Sequence, residues 1–217
     1  MKNDFIITLA WPEGMVACTD AWYDKFFSSN GKYRVGHAAV VIVERVSGKL
    51  LFFDFGRYHS PKGFGRVRDV ETDHDVAINS LAEIKDNNIV NLKEILKEIK
   101  GNTSFHGEGT LYASILSNIS FQKAYKYAKN TQDKGFTLYG PLIYNGTNCS
   151  RFVASVMRSS GTNFVKRLRL KFPFCLSPSP KRNVAIAHAS FYKIGVDSFK
   201  EIKRNMLQAY FKSIERS

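Results

Sequence analysis

Two apolar runs joined by a short polar break constrain this chain more than any other feature. Residues 35–44 (Val-Gly-His-Ala-Ala-Val-Val-Ile-Val-Glu) and 49–56 (Lys-Leu-Leu-Phe-Phe-Asp-Phe-Gly) are apolar at successive positions, not at alternate ones. Successive side chains of a strand point to opposite faces, so each run presents apolar groups on both sides and needs a sheet covered twice over. Arg45-Val46-Ser47-Gly48 between them reads as the turn of a hairpin. Two residues break the apolar pattern. His37 opens the first strand directly after Gly36, and Asp54 stands among phenylalanines in the second. A carboxylate in that setting is expensive to bury without a partner, and a histidine would be one. Residues opposite each other across a pair share a face. A four-residue loop at 44–47 would set His37 opposite Asp54, whereas a two-residue turn at Ser47-Gly48 would set it opposite Tyr58. Asp54 can also end its strand and bond the backbone of Gly56 or Arg57.

The second informative stretch is Tyr144-Asn145-Gly146-Thr147-Asn148-Cys149-Ser150-Arg151-Phe152-Val153, a polar turn that runs into an amphipathic helix. Thr147 or Asn148 suits the N-cap. Cys149, Phe152, Val153, Val156 and Met157 recur at helical spacing and share the buried face, with Ser150, Arg151 and Arg158 directed away from it. A thiol in the first turn of a helix meets free amides and the positive end of the dipole, which favour thiolate and can hold an oxyanion. Cys149 is therefore the candidate nucleophile and His37 its base, with Asp54 or Tyr58 to orient the imidazole according to the register of the hairpin. His59 is a fallback orienter, although strand parity puts it on the other face. His106, in the glycine-rich Ser104-Phe105-His106-Gly107, is the rival base. Around this set, Trp11, Arg57, Tyr58, Tyr144 and Asn148 are the candidate substrate contacts, and Tyr139 or Tyr144 can bring a hydroxyl to the reacting carbonyl.

A histidine at the head of an apolar strand, an acidic residue in the next strand, and Asn148-Cys149-Ser150-Arg151-Phe152-Val153 much later together resemble the circularly permuted branch of the NlpC-type, papain-like superfamily, the group of lecithin:retinol acyltransferase. The resemblance covers roughly residues 35–160. It implies an α+β, papain-like fold in which a central antiparallel sheet packs against helices and the nucleophile starts a helix. It also favours the register that pairs His37 with Asp54, because relatives often carry a carboxylate in that second strand. The implied reaction is acyl transfer through a thioester, with no metal or organic cofactor. Ser150-Arg151 stands where the acyltransferases have an acidic-histidine pair, and no second histidine follows His37 at their short spacing. The expected branch is thus amide or peptide hydrolysis, acting on a peptide, a cell-wall fragment or a lipid-like acyl group.

A chain of 217 residues that is 44% hydrophobic suits one catalytic domain spanning 1–217. The apolar run at 5–11 is too short for a signal peptide and no stretch spans a bilayer, so a cytoplasmic location is expected. Cys18, Cys149 and Cys175 include no CxxC pair, which argues against a zinc site or a disulfide framework. The net charge of +13 favours polyanions and makes a non-enzymatic basic module that binds nucleic acid or an anionic membrane the alternative to an enzyme, but no nucleic-acid motif of known spacing accompanies it.

The remaining segments read as a first strand at 5–11, a short helix at 19–26, and a basic loop at 57–68. A strand around 76–78, a helix capped by Asn91, a strand at 110–116 and a helix opened by Ser120 follow. The C-terminal part reads as a cationic strand at 165–172, an extended linker at 177–183 and a terminal helix opened by Ser198-Phe199-Lys200-Glu201.

Overall fold

The computed structural model describes residues 3–17, 32–34, 36–143, 145–171 and 174–215. Tyr144 and the helix expected at 19–26, with its Trp22, lie outside them. The apolar hairpin forms as strands β4 (His37–Val43) and β5 (Leu50–Gly56). Its turn closes through Glu44 N to Lys49 O at 3.0 Å and Gly48 N to Glu44 O at 2.9 Å. The register falls between the two anticipated ones: Val43 pairs with Leu50 and Ala39 with Asp54, which leaves His37 level with Gly56. The turn spans four residues, 45–48, one step further along than the loop that would have set His37 against Asp54. His37 and Asp54 are consequently diagonal neighbours on one face, an arrangement still within reach of long side chains.

Around this hairpin an eight-stranded sheet assembles, every pairing antiparallel. Its order is β10 (Thr137–Leu138), β6 (Phe64–Arg68), β5, β4, β1 (Asp4–Trp11), β9 (Leu111–Ile119), β11 (Phe191–Ile194) and β12 (Phe199–Ile202). Two small ribbons stand apart, β2 (Met15–Ala17) with β3 (Lys32–Arg34) and β7 (Ile84–Lys85) with β8 (Asn88–Ile89). The two-faced apolar strands find the double cover they require. On one face Phe5, Ile7, Leu9, Val41 and Phe52 pack against α1 (Leu92–Gly101), which presents Leu92, Ile95, Leu96 and Ile99. On the other, Ile6, Val40, Ile42, Phe53 and Phe55 meet α2 (Phe121–Gln132), the cysteine helix α3 (Cys149–Ser159), and Ile186 and Ala187 of a later helix. The α+β class with a central antiparallel sheet and the cysteine at a helix N-terminus is the one observed.

Several local expectations are overturned, each by a longer-range or better-capped alternative. The basic loop at 57–68 contains β6, because the turn before Phe64 returns the chain alongside β5. Val76 sits in a 3-10 turn and not a strand. Asn91 precedes α1, but its side chain bonds Glu83 N and Leu81 O and does not cap the helix. The cationic strand is instead helix α4 (Phe164–Arg169), capped by Asn163, whose Oδ1 accepts from Lys166 N at 2.9 Å. The linker holds the start of α5 (Pro180–Ala187): Ser179 caps it, and Pro180 sits at a position where a missing N–H costs nothing. The Ser198 capping pattern loses to a hairpin of β11 and β12, and the terminal helix α6 (Met206–Phe211) opens with a capping box from Asn205 and Gln208. Ser150, expected to point outward, is buried against α5, where its backbone oxygen and hydroxyl accept from Asn183 Nδ2 at 2.9 and 2.8 Å. No helix among the described residues is long and apolar enough to cross a membrane.

Gly36 sets the entry of His37 into the sheet. Its φ is +68°, and a Cβ there would lie 2.5 Å from Trp11 O and 2.8 Å from Pro12 Cα. Both the left-handed backbone and the close approach exclude a side chain. Gly36→Ala is expected to destabilise the protein by about 2 to 3 kcal/mol in urea unfolding. A loss under half that size would show that the approach is not tight.

Candidate active site

His37 is held from two sides by neighbouring strands. It pairs in register with Trp11 of β1, whose indole stacks on the imidazole with centroids 5.8 Å apart. On the other side Nε2 lies 2.9 Å from Oδ2 of Asp54. Level with His37, Gly56 has no side chain, and the Tyr58 ring fills that space: a Cβ on Gly56 would lie 2.4 Å from Tyr58 Cε2. The chain thus folds back after the strand and aims the phenol at Asp54, where Tyr58 Oη donates to Oδ2 at 2.8 Å. Tyr58 Oη is also 3.4 Å from His37 Nε2.

Asp54 is completely buried, and its partners explain how a carboxylate persists there. Arg68 is directly opposite in β6, donating from Nε to Oδ1 at 3.1 Å and from an NH2 nitrogen to Oδ2 at 2.8 Å. The guanidinium is itself fixed by Ser104 O at 3.1 Å and lies over the Tyr58 ring, 3.6 Å from its centroid. Burial pushes the Asp54 carboxyl up, yet the bonds and charges of His37 and Arg68 outweigh it and hold it at about 2. Burial likewise pushes the His37 imidazole down, but hydrogen bonds and charge from Asp54 and Cys149 raise it to about 9. Tyr58 moves well above its usual range, through burial and the neighbouring carboxylate.

Cys149 reaches this cluster from the far side of the sheet. Its helix packs on the face opposite Trp11 and Ala39, but His37 starts its strand, and there the helix N-terminus brings the thiol near enough for Cys149 to be among the groups that raise the imidazole pKa. Asp54 and Tyr58 both lie on the Nε2 side of the ring. Asn148 is the N-cap: Oδ1 accepts from Arg151 N at 2.8 Å and Nδ2 donates to Ser177 Oγ at 2.9 Å. The turn before it is pinned by a bridge between Tyr139 and Thr147, with Thr147 N donating to Leu138 O at 2.9 Å. Tyr139, held by that bridge, has its phenol raised well above the usual range by burial and by the neighbouring Cys149. The Arg57 guanidinium lies over the Tyr139 ring at 5.4 Å.

The structure therefore brings Cys149, His37, Asp54, Tyr58 and Tyr139 together and separates others from their expected roles. Trp11 is buried and stacks on His37, so its expected place as a substrate contact is taken up by packing on the imidazole. Asn148 is engaged at both ends of its amide by the cap and Ser177. His59 is exposed in a left-handed conformation, φ 43°, and does not orient His37. His106, also left-handed, stacks on Tyr58 at 5.3 Å and leaves the contact with Cys149 to His37. Sequence reasoning missed Arg68. The signal was the alternation Phe64-Gly65-Arg66-Val67-Arg68, a strand pattern hidden in a glycine-rich basic run. Among the described residues no group of three or more His, Cys, Asp or Glu is placed to hold a metal.

The two shifted groups give stability a shape with pH. Asp54, lowered from 3.8 to about 2, contributes fully above its unfolded value, and the contribution fades as pH falls through 2. His37, raised from 6.5 to about 9, contributes fully below 6.5 and loses the contribution as pH rises through 9. Asp54→Asn should flatten both limbs in urea unfolding followed across pH. Arg68→Met should cost about 3 kcal/mol, because it strips a partner from a buried charge. A loss below 1 kcal/mol would mean that Asp54 needs no arginine.

A family model described as type VI secretion system effector TseH-like matches residues 6–165. The crystal structure of the type VI secretion system effector TseH superposes with a TM-score of 0.64 at 19% identity, covering 93% of this chain and 99% of that one. At that identity the likeness concerns the fold. No curated protein matches the chain.

Proposed function

The chain belongs to the TseH-like family of type VI secretion system effectors, and from that premise we propose that it is a cysteine hydrolase of amide or peptide bonds. The observation that carries this reading is the relay from Asp54 through His37 to Cys149, anchored from behind by Arg68. The Cys149 sulfur attacks the carbonyl carbon, forming a C–S bond while the carbonyl pair moves onto oxygen. The helix-start amides and the Tyr139 hydroxyl donate to that oxyanion. As it collapses, the C–N bond breaks and the His37 imidazolium gives its proton to the departing amine. Water then loses a proton to His37 and attacks the thioester, releasing the acid and restoring the thiolate–imidazolium pair.

We assign the permuted papain-like architecture on the same grounds: the base precedes the nucleophile in the chain and the two meet at the end of an antiparallel sheet. The whole chain is read as one catalytic domain. A peptide or cell-wall fragment is the proposed substrate class, with lipid acyl transfer the lesser branch, since the residues of the acyltransferases are missing. The proposed place of action is outside the cell that makes the protein, in keeping with the family's description as secretion-system effectors.

Iodoacetamide at neutral pH should modify Cys149 faster than Cys18 or Cys175, whose thiol is pushed up mainly by burial. Peptide mapping by mass spectrometry reads the order, and equal rates would remove the activated thiol. Hydrolysis of cell-wall peptides should cease in Cys149→Ser. In the wild type it should decline as pH rises through about 9, where His37 loses the proton the amine requires. Asp54→Asn should move that decline to lower pH and reduce kcat about a hundredfold.

A further inference from the structure

Beside the cysteine helix lies a cavity of about 370 Å³ that the proposed mechanism does not use. It starts at the Asn145-Gly146-Thr147 turn, the same turn that delivers Cys149, and runs along α3. Four cationic side chains line it, Arg151 and Arg158 from α3, Lys134 after α2 and Lys171 after α4. None of its described lining residues is acidic. None of these four forms a salt bridge among the described residues.

This concentration of like charge is not explained by folding. Arg158 is half-buried and held in place by two donations, to Leu170 O at 2.7 Å and to Ser155 Oγ at 2.9 Å, neither of which neutralises it. Burial, with the charges of Arg151 and Arg167, presses its pKa down. Like charges gathered at a half-buried site oppose one another unless an anion joins them. Two guanidinium groups match a planar carboxylate better than ammonium groups do, because they can donate in parallel pairs. Leu176 and Pro178 add an apolar wall suited to a short aliphatic stem.

We propose that this cavity is a specificity subsite for an acidic side chain of the peptide substrate, a carboxylate on a short methylene stem as in a glutamyl residue. The inference rests on the peptide-hydrolase reading and deepens it: the carboxylate anchors in the cavity while the scissile carbonyl lies at Cys149, on the other side of the shared turn. The chain's net charge of +13 then draws acidic substrates in, and the cavity selects the residue.

The test is isothermal titration calorimetry at low ionic strength on Cys149→Ala protein, so that binding is read without turnover. Three probes are compared: the capped tripeptide Ala-Glu-Ala amide, its Ala-Gln-Ala counterpart, and inorganic phosphate. The glutamyl peptide should bind about tenfold more tightly than the glutaminyl one, the difference expected for one charge-assisted contact. Arg151→Gln should remove most of that preference. The exposed pair Lys134→Gln/Lys171→Gln, which carries little risk to folding, should weaken glutamyl binding several-fold and leave the glutaminyl peptide unchanged. Equal affinity for the two peptides, no glutamyl binding at millimolar concentration, or phosphate binding tighter than the peptide would each overturn the proposal. If the peptides bind as expected while wild-type protein cleaves nothing, the catalytic reading fails and the subsite stands.

Discussion

A buried carboxylate governs the architecture of this protein's candidate site. Asp54 lies in the middle of a phenylalanine-rich strand with no access to solvent, and an isolated charge there would be unstable. The fold answers with three donors on three different elements: Arg68 from the adjacent strand, His37 from the other neighbouring strand, and Tyr58 from the chain that follows. Each donor constrains geometry as well as charge. Arg68 requires β6 to pair with β5, Tyr58 requires an empty position at Gly56, and His37 requires the left-handed entry at Gly36. The same network that neutralises Asp54 therefore fixes the imidazole in one orientation.

That network also settles a geometric difficulty. The cysteine helix and the His37 face lie on opposite sides of the sheet, so a nucleophile in mid-helix or a base in mid-strand would never meet. Both residues are placed at ends: Cys149 begins its helix and His37 begins its strand. Contact occurs at the margin, where the sheet no longer intervenes. Tyr139 is carried to the same margin by its bridge to Thr147. The positive field around the cavity on the flank of α3 begins at that turn too, so one short loop organises both the nucleophile and the proposed selectivity.

Much of this was legible in the sequence, and for identifiable reasons. Two-faced apolar strands dictate a doubly covered sheet, and the helical spacing from Cys149 to Met157 dictates the buried face of α3; both patterns repeat often enough to survive local irregularity. The register of the hairpin was less legible, because it depends on which residues the turn takes in, and the true answer lay between two plausible loops. Arg68 was hidden because glycine and basic residues dominate its segment, whereas its position is set by strand pairing with Asp54. The C-terminal elements misled for the same reason: alternation at 165–172 and a capping pattern at Ser198 are short signals, and Asn163 capping and the β11–β12 hairpin outweighed them.

Catalysis by this site requires the imidazole to be held between a buried carboxylate and the Cys149 sulfur. The most direct measurement is an NMR titration of the His37 ring in the wild type, Cys149→Ala and Asp54→Asn. The wild-type pKa should be about 9, lower in Cys149→Ala and lower also in Asp54→Asn, since each variant removes a partner that raises it. A wild-type value near 6.5 that neither substitution moves would contradict that arrangement, because the ring would then be bonded to neither group.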